Sequence, residues 1–454
     1  VPGTLFPEKV SNRKYLTIIL VLFSLFIILG GVAAYQSPDS TGPPQPTNTS
    51  VALKLPTATT PAPIFAPTMP PLPTRTKTAT PLPPTPTNTR VVPEEVYSGG
   101  TVQAAKRATD QANNKATVET HLETNGQTRD PALPSGAIPK INHSRGSRLV
   151  LAHYFAWYDD SGWNDCNISS GDKPLEPYHS DDPAAIARHV ELAMYTGLDG
   201  FTLHWFTPGD RTDRNFATLL AQSEGHQFSS SVVFSRHFWP GSPAASRQTI
   251  VEALRYILDQ YGSHPNFLRW DDKPVIFFID AYRVPASADE TAQQFWATIR
   301  DRVDPQRQSW WITEGLDASY LAVFDGLYVF KVSHATSLHD YVKSPRWGNQ
   351  ARSWVDRTGR PKLWLATISP GWDDLRASCK PDVRVPNTLH RLDRADGAIY
   401  EATFQAALDS KPDWLIVSSF NEWVEGSYIE PSVQYGDKYL QMTKEFVERF
   451  RQGD

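Results

Sequence analysis

The sequence predicts an α/β protein: a (β/α)8 (TIM) barrel catalytic domain, preceded by one transmembrane helix and a disordered Pro/Thr-rich stalk. Three observations predict it. Eight short β-rich runs alternate with helical patterns after residue 147. All 14 tryptophans lie between Trp157 and Trp423, so the aromatic area available for burial is C-terminal. An uncharged apolar stretch runs from Tyr15 to Ser37, followed by Pro/Thr repeats.

Residues 1–14 form a basic tail, with Lys9, Arg13 and Lys14 just ahead of the apolar stretch. Residues 15–36 suit a signal anchor, because about 20 apolar residues in helical geometry span the hydrocarbon core. By the positive-inside rule the tail stays cytoplasmic, giving a single-pass type II membrane protein with an extracytoplasmic C-terminal domain. A cleaved signal peptide is the alternative, since Gly31-Val-Ala-Ala follows the run. Residues 37–147 form a linker. Its proline removes backbone donors and favours extended polyproline II, so no core can form there. One weak helix is expected near Val102–Thr120, and Asn142-His-Ser and Asn167-Ile-Ser fit the glycosylation sequon.

The domain at 148–454 carries the β-rich runs: Leu149–Trp157, Gly200–Phe206, Ser231–Phe238, Pro274–Tyr282, Ser309–Glu314, Gly326–Val332, Lys362–Ile368 and Trp414–Phe420. Between the first two, Asp181-Asp-Pro supplies an N-cap and an N1 proline. Ile186, Val190, Ala193 and Met194 form one apolar face, and Gly197 ends the helix. Ile250, Ala253, Leu254, Ile257 and Leu258 repeat that pattern before the fourth run. A doubly wound sheet is the alternative to a closed barrel.

Barrel enzymes carry their sites at the C-terminal ends of the strands. Those ends present His153, Tyr154, Trp157 and Tyr158 after the first run, then His204 and Trp205 after the second. Arg236 and His237 follow the third, Asp280 and Tyr282 the fourth, Glu314 the fifth, and Tyr328 and Lys331 the sixth. The seventh leads to Trp372 and Asp373, and the eighth to Asn421, Glu422, Trp423, Glu425 and Glu430. Rings mixed with carboxylates and amides suit sugars, whose C–H faces stack while their hydroxyls need hydrogen bonds. A net charge of −5 gives no reason to expect a nucleic-acid partner, and two cysteines exclude a four-cysteine metal site. The cysteines, Cys166 and Cys379, follow the first and seventh runs; a disulfide and two separate thiols both fit.

Glu422 and Glu425 stand three residues apart, a spacing common on solvated surfaces but also suited to the two carboxyl groups of glycosidic cleavage. Their context is more specific. Ser418-Ser-Phe-Asn-Glu-Trp-Val-Glu-Gly-Ser-Tyr-Ile-Glu-Pro resembles the signature of glycoside hydrolase family 99, the endo-α-mannosidase and endo-α-mannanase family, which reads S-F-N-E-W-H-E-G-T-Q-I-E. Tyr261-Gly-Ser-His-Pro-Asn-Phe, Phe324-Asp-Gly-Leu-Tyr, Pro370-Gly-Trp-Asp-Asp, Tyr400-Glu-Ala-Thr-Phe-Gln-Ala-Ala-Leu and the opening His153-Tyr-Phe-Ala-Trp-Tyr look like family segments in the family's order. The resemblance covers roughly the 300 residues that suit such a barrel.

The resemblance implies a (β/α)8 barrel with no metal and no cofactor, cleaving α-mannosidic bonds of a glycan with retention. Matched by position, Glu422 takes the role of a base on the sugar's 2-hydroxyl, and Glu425 that of acid and then base. The remaining strand-end residues are expected to bind substrate: His153, Tyr154, Trp157, Tyr158, His204, Trp205, Arg236, His237, Asp280, Tyr282, Tyr328, Trp372, Asp373, Asn421, Trp423 and Glu430. Three departures stand out. Val424 replaces the histidine between the two glutamates, Arg236-His-Phe replaces a Glu-Pro-Tyr, and Ser427-Tyr428 replaces Thr-Gln. Val424 leaves room for a catalytically silent glycan-binding barrel on the cell surface, and the resemblance also admits an enzyme of polysaccharide assembly.

Overall fold

In the computed structural model, the structure describes residues 139–163, 172–235, 246–332 (apart from 285 and 288), 344–373 and 391–453. The anchor, the stalk, the helix expected near Val102–Thr120, Asn167, Arg236, His237, Cys166 and Cys379 lie outside the described residues. Among the described residues, no helix is long and apolar enough to cross a membrane.

Eight parallel strands close on themselves. They are β1 (Val150–Tyr154), β2 (Gly200–Trp205), β3 (Ser231–Phe234), β4 (Lys273–Phe278), β5 (Trp310–Glu314), β6 (Gly326–Tyr328), β7 (Leu363–Ile368) and β8 (Trp414–Val417). Each pairs with its neighbours in sequence, β3 pairs with β4, and β8 returns to β1 with Val150 opposite Leu415. The doubly wound alternative is thereby excluded, because such a sheet keeps two open edges. Every expected run contains a strand, and several runs overreach at their C-terminal ends. Phe155, Trp157 and Phe330 favour strand geometry by residue type but stand in the mouth loops.

Side-chain parity divides the core into two. Leu149, Leu151, Val233, Val275, Phe277, Trp310, Ile312, Tyr328, Leu363, Leu365, Trp414 and Ile416 fill the barrel interior. The alternate residues, among them Val150, Phe201, Leu203, Val232, Phe278, Trp311, Trp364 and Leu415, face the outer helices. The first helix, α1 (Pro183–Tyr195), is capped as expected: the Asp182 side chain accepts from Ala184 N, and Pro183 opens the helix. Its Ile186, Val190 and Ala193 are buried, and Gly197 continues past the C-cap with φ 79°. Helices α2 (Arg211–Gln222), α3 (Arg247–Tyr261) and α4 (Ala292–Val303) follow β2, β3 and β4. Ile250, Ala253, Leu254 and Ile257 form the buried face of α3. A 3-10 turn (Ala318–Ala322) links β5 to β6. Helices α5 (Ser344–Arg352), α6 (Ala398–Asp409) and α7 (Lys438–Gln452) complete the ring. A two-residue strand, Arg269–Trp270, pairs antiparallel with the start of β4, an addition the sequence pattern did not indicate.

Candidate active site

The segment after β8 folds back on itself before α7. Ser419 N donates to Ser427 O (2.8 Å), Ser427 N to Glu422 O (3.2 Å), and Glu430 N to Phe420 O (2.9 Å). Gly426, with φ 66°, makes the reversal, a conformation that disfavours any side chain. Within the loop, Trp423 stacks on Tyr428 with ring centres 3.8 Å apart. Asn421 staples the loop to the end of β1: its Oδ1 accepts from Phe155 N (2.8 Å) and its Nδ2 donates to Phe155 O (3.0 Å). Asn421 is thus a strut between the first and last strands, fully buried.

Glu422 is 4% exposed. Its Oε1 accepts from Tyr158 OH (3.2 Å) and from Val424 N (3.0 Å), and its own N–H donates to Ser419 Oγ (2.7 Å). Tyr158 OH also accepts from Trp423 N (3.0 Å), and its ring stacks on Trp163 at 4.9 Å. Burial first, and the Glu422 charge second, push the Tyr158 phenol well above its usual range, so it stays a donor. Val424, where the family signature has histidine, supplies a backbone donor that needs no particular side chain.

Glu425 is 9% exposed. Its carbonyl accepts from Asp373 N (2.9 Å), which ties the loop to the segment after β7. Its Oε1 lies 4.0 Å from Lys331 Nζ, and that ammonium sits 4.1 Å over the ring of Trp372. The Trp372 ring meets Phe330 edge-on at 6.0 Å.

Beside this pair, His153 and His204 point inward from β1 and β2. Their rings meet edge to face at 5.4 Å, and Phe330 lies 5.0 Å from one and 5.3 Å from the other. The Thr202 hydroxyl is 2.8 Å from His153 Nδ1. Burial, then the neighbouring His204, hold His153 well below the ordinary histidine range, so its ring is neutral near pH 7. His204 stacks on Phe155 at 4.4 Å, and half-buried Trp157 stacks on Phe206 at 5.5 Å.

A second acidic group stands at the ends of β4 and β5. Asp280 (φ 56°) lies 3.5 Å from Arg283 Nε, which donates to Tyr282 OH at 2.9 Å; Tyr282 is 58% exposed. Burial, then the Asp280 charge, raise the Glu314 carboxyl to about 7. Tyr328 is interior, its hydroxyl donating to Phe278 O (3.2 Å), so it fills the barrel beneath the mouth.

Two expected binding residues have the opposite parity. Tyr154 and Trp205 point outward into the helix layer, fully buried. Trp205 Nε1 donates to Asp213 Oδ1 (2.9 Å), an acceptor it shares with Tyr261 OH (2.7 Å). Tyr154 OH pairs with His189 Nδ1 (2.8 Å). Glu430 is buried behind Trp423: its Oε2 accepts from Trp423 Nε1 (2.9 Å) and Tyr178 OH (3.1 Å). His189 Nε2 lies 3.1 Å from Glu430 Oε1, close in charge terms but poorly aligned for a hydrogen bond. Glu430 and Tyr154 therefore belong to one internal network that backs the loop. Tyr178, His189, Trp163 and Phe330 are site residues that pattern reading missed. Phe330 lay within an expected strand, while the other three sit in a loop or on a helix with no local signal. Among the described residues, no group of three or more His, Cys, Asp or Glu side chains is placed to hold a metal ion.

A closed parallel barrel with two buried glutamates on one loop and a cluster of rings at the C-terminal ends of its strands is the architecture of a barrel glycosidase. The chain belongs to glycosyl hydrolase family 99, whose model matches residues 152–451. It is similar to the glycoprotein endo-alpha-1,2-mannosidase of Mus musculus, 26% identical over 312 residues, spanning 61% of this chain and 63% of that one. The glycoprotein endo-alpha-1,2-mannosidase-like protein of Homo sapiens is also 26% identical, with the same two shares. The chain thus spans less than two thirds of the length of these relatives. A solved endo-alpha-mannosidase of the same family from Bacteroides thetaiotaomicron superposes with a TM-score of 0.55 at 23% identity, covering 67% of this chain and 98% of that one. That likeness speaks for the fold.

Proposed function

We propose that this chain is a glycoside hydrolase that cleaves α-mannosidic or related linkages within a glycan with retention of configuration. Family membership supports the reaction class, and the similarity to glycoprotein endo-alpha-1,2-mannosidases supports the mannosidic substrate. The observation that carries the assignment of roles is the grip on Glu422, whose Oε1 receives both Tyr158 OH and Val424 N. Two donors on one oxygen hold the carboxylate in a fixed orientation, as a positioned base requires.

In the proposed sequence Glu422 takes the proton from the sugar's 2-hydroxyl. The freed oxygen bonds to the anomeric carbon as the glycosidic bond breaks, and Glu425 protonates the departing oxygen. A 1,2-anhydro sugar results. Glu425, now a carboxylate, takes a proton from water, whose oxygen opens the ring at the anomeric carbon while Glu422 returns its proton to O2. Two inversions give retention, and no bond forms between enzyme and sugar, in contrast to the usual two-carboxylate scheme. Trp157 and Phe330, both half-buried, offer rings for the sugar faces. Arg236 and His237 remain proposed contacts on sequence grounds alone.

The uncharged run at 15–36 and the Pro/Thr-rich residues 37–147 support an extracytoplasmic domain tethered to a membrane by a type II anchor. The test of the reaction is proton NMR of an α-mannan digest during the first minutes. The first-formed reducing end is expected in the α configuration. Initial release of the β anomer contradicts retention, and saturable binding without release replaces the hydrolase with a glycan-binding barrel.

A further inference from the structure

On the barrel face opposite the mouth, the N-terminal ends of β4, β5 and β7 surround a cavity of about 330 Å³. Six cations line it (Lys273, Arg300, Arg307, Arg357, Arg360 and Lys362) against two carboxylates, Asp325 and Asp356. Part of that charge is spent on the fold. Arg300 and Lys362 share Asp325 at 2.6 and 3.1 Å, and Arg360 holds Asp356 at 3.2 Å. Arg307 pairs with Asp301 at 2.6 Å. Arg357 and Lys273 stand outside these ion pairs. Arg357 is exposed and has no ion pair or hydrogen bond among the described residues. Lys273 Nζ donates to Arg307 O at 2.9 Å, which uses one of its three N–H groups.

An oxygen-rich anion is the complement of guanidinium and ammonium donors that the fold leaves unused. The volume lies at the small end of ligand cavities and exceeds what a bare inorganic anion fills.

We infer that this cavity binds a sugar-sized molecule carrying a phosphate or carboxylate, whose anionic group pairs with Arg357 and Lys273. Its rim includes Trp354, half-buried, which offers apolar surface for a ring face. The site is separate from Glu422 and Glu425, so the inference stands whether or not the mouth hydrolyses glycans.

The test is calorimetric titration of the full chain with glucose 6-phosphate, glucuronic acid, inorganic phosphate and glucose. At least one of the two acidic sugars is expected to bind saturably, and glucose is not. Arg357→Glu and Lys273→Gln, made separately, should each weaken that binding by about tenfold or more, with melting temperature and glycan turnover unchanged. Using two sites guards against one variant folding poorly. Three results overturn the inference: no acidic sugar binds, glucose binds as well, or both variants bind like wild type. Inorganic phosphate binding as tightly as glucose 6-phosphate would overturn the sugar-sized ligand and leave a bare anion site.

Discussion

Tyr158 reaches across 264 residues of sequence to donate a hydrogen bond to Glu422 at 3.2 Å. The first strand thereby positions the carboxylate that the last strand supplies. The contact depends on barrel closure, because β1 and β8, first and last in the chain, are neighbours only through their direct pairing, Val150 opposite Leu415. Asn421 reinforces the same seam from the other side through both backbone groups of Phe155.

Tyr158→Phe keeps the ring stacked on Trp163 and removes only the hydroxyl. A hydrogen bond to a charged group contributes about 1.5–3 kcal/mol, so kcat on α-mannan should fall roughly 10- to 100-fold. KM should change little, and the melting temperature should drop by a few degrees because Glu422 and Trp423 N each lose a buried partner. Steady-state kinetics checks the split; a rise in KM at constant kcat would mean that Tyr158 serves binding instead.

Glu314 makes stability depend on pH. Its folded-state carboxyl titrates at about 7 against an ordinary 4.5, raised by burial and by Asp280. Between those values the folded state holds a proton that the unfolded chain has released. Stability therefore falls as pH rises through this window, by at most about 3 kcal/mol, and is restored on acidification toward 4.5. Glu314→Gln should flatten the fall in melting temperature between about pH 5 and 8. An equally steep fall in the variant would place its source elsewhere.

His189 lies on α1, outside the barrel, yet contacts Tyr154 and Glu430 in the network behind Trp423. His189→Ala leaves a cavity and strips a buried carboxylate of one neighbour. A loss of roughly 2–4 kcal/mol in urea unfolding is expected. Glu430→Gln should cost less, because its amide oxygen can still accept from Trp423 Nε1. Equal losses would show that the charge, not the contact, matters.

Much of this architecture was legible in the sequence. Eight β-rich runs, the Asp182-Pro183 helix start and the apolar face of α3 all became elements, because each rests on local geometry with a fixed period. The strand-end rule found Glu422, Glu425, His153, His204, Trp157, Trp372 and Lys331 at the mouth. It could not separate the two sides of a strand. Tyr154 and Trp205 are strand-end aromatics of the outward parity, and the register that decides parity is a property of the whole sheet. Glu430 looked like a third mouth carboxylate, but Trp423 and Tyr178 take its oxygens inside the loop. Tyr178 and His189 carried no signal, since their meaning comes from partners far along the chain.

Turnover by separate glutamine variants of Glu422 and Glu425 tests whether the two carboxylates cleave a glycan bond together. The full chain, Glu422→Gln and Glu425→Gln should be assayed on one α-mannan, with both variants checked for wild-type melting temperature. Loss of a positioned acid or base predicts a fall of about 10²- to 10⁴-fold in kcat for each variant. Turnover by either variant at the wild-type rate would contradict the assignment.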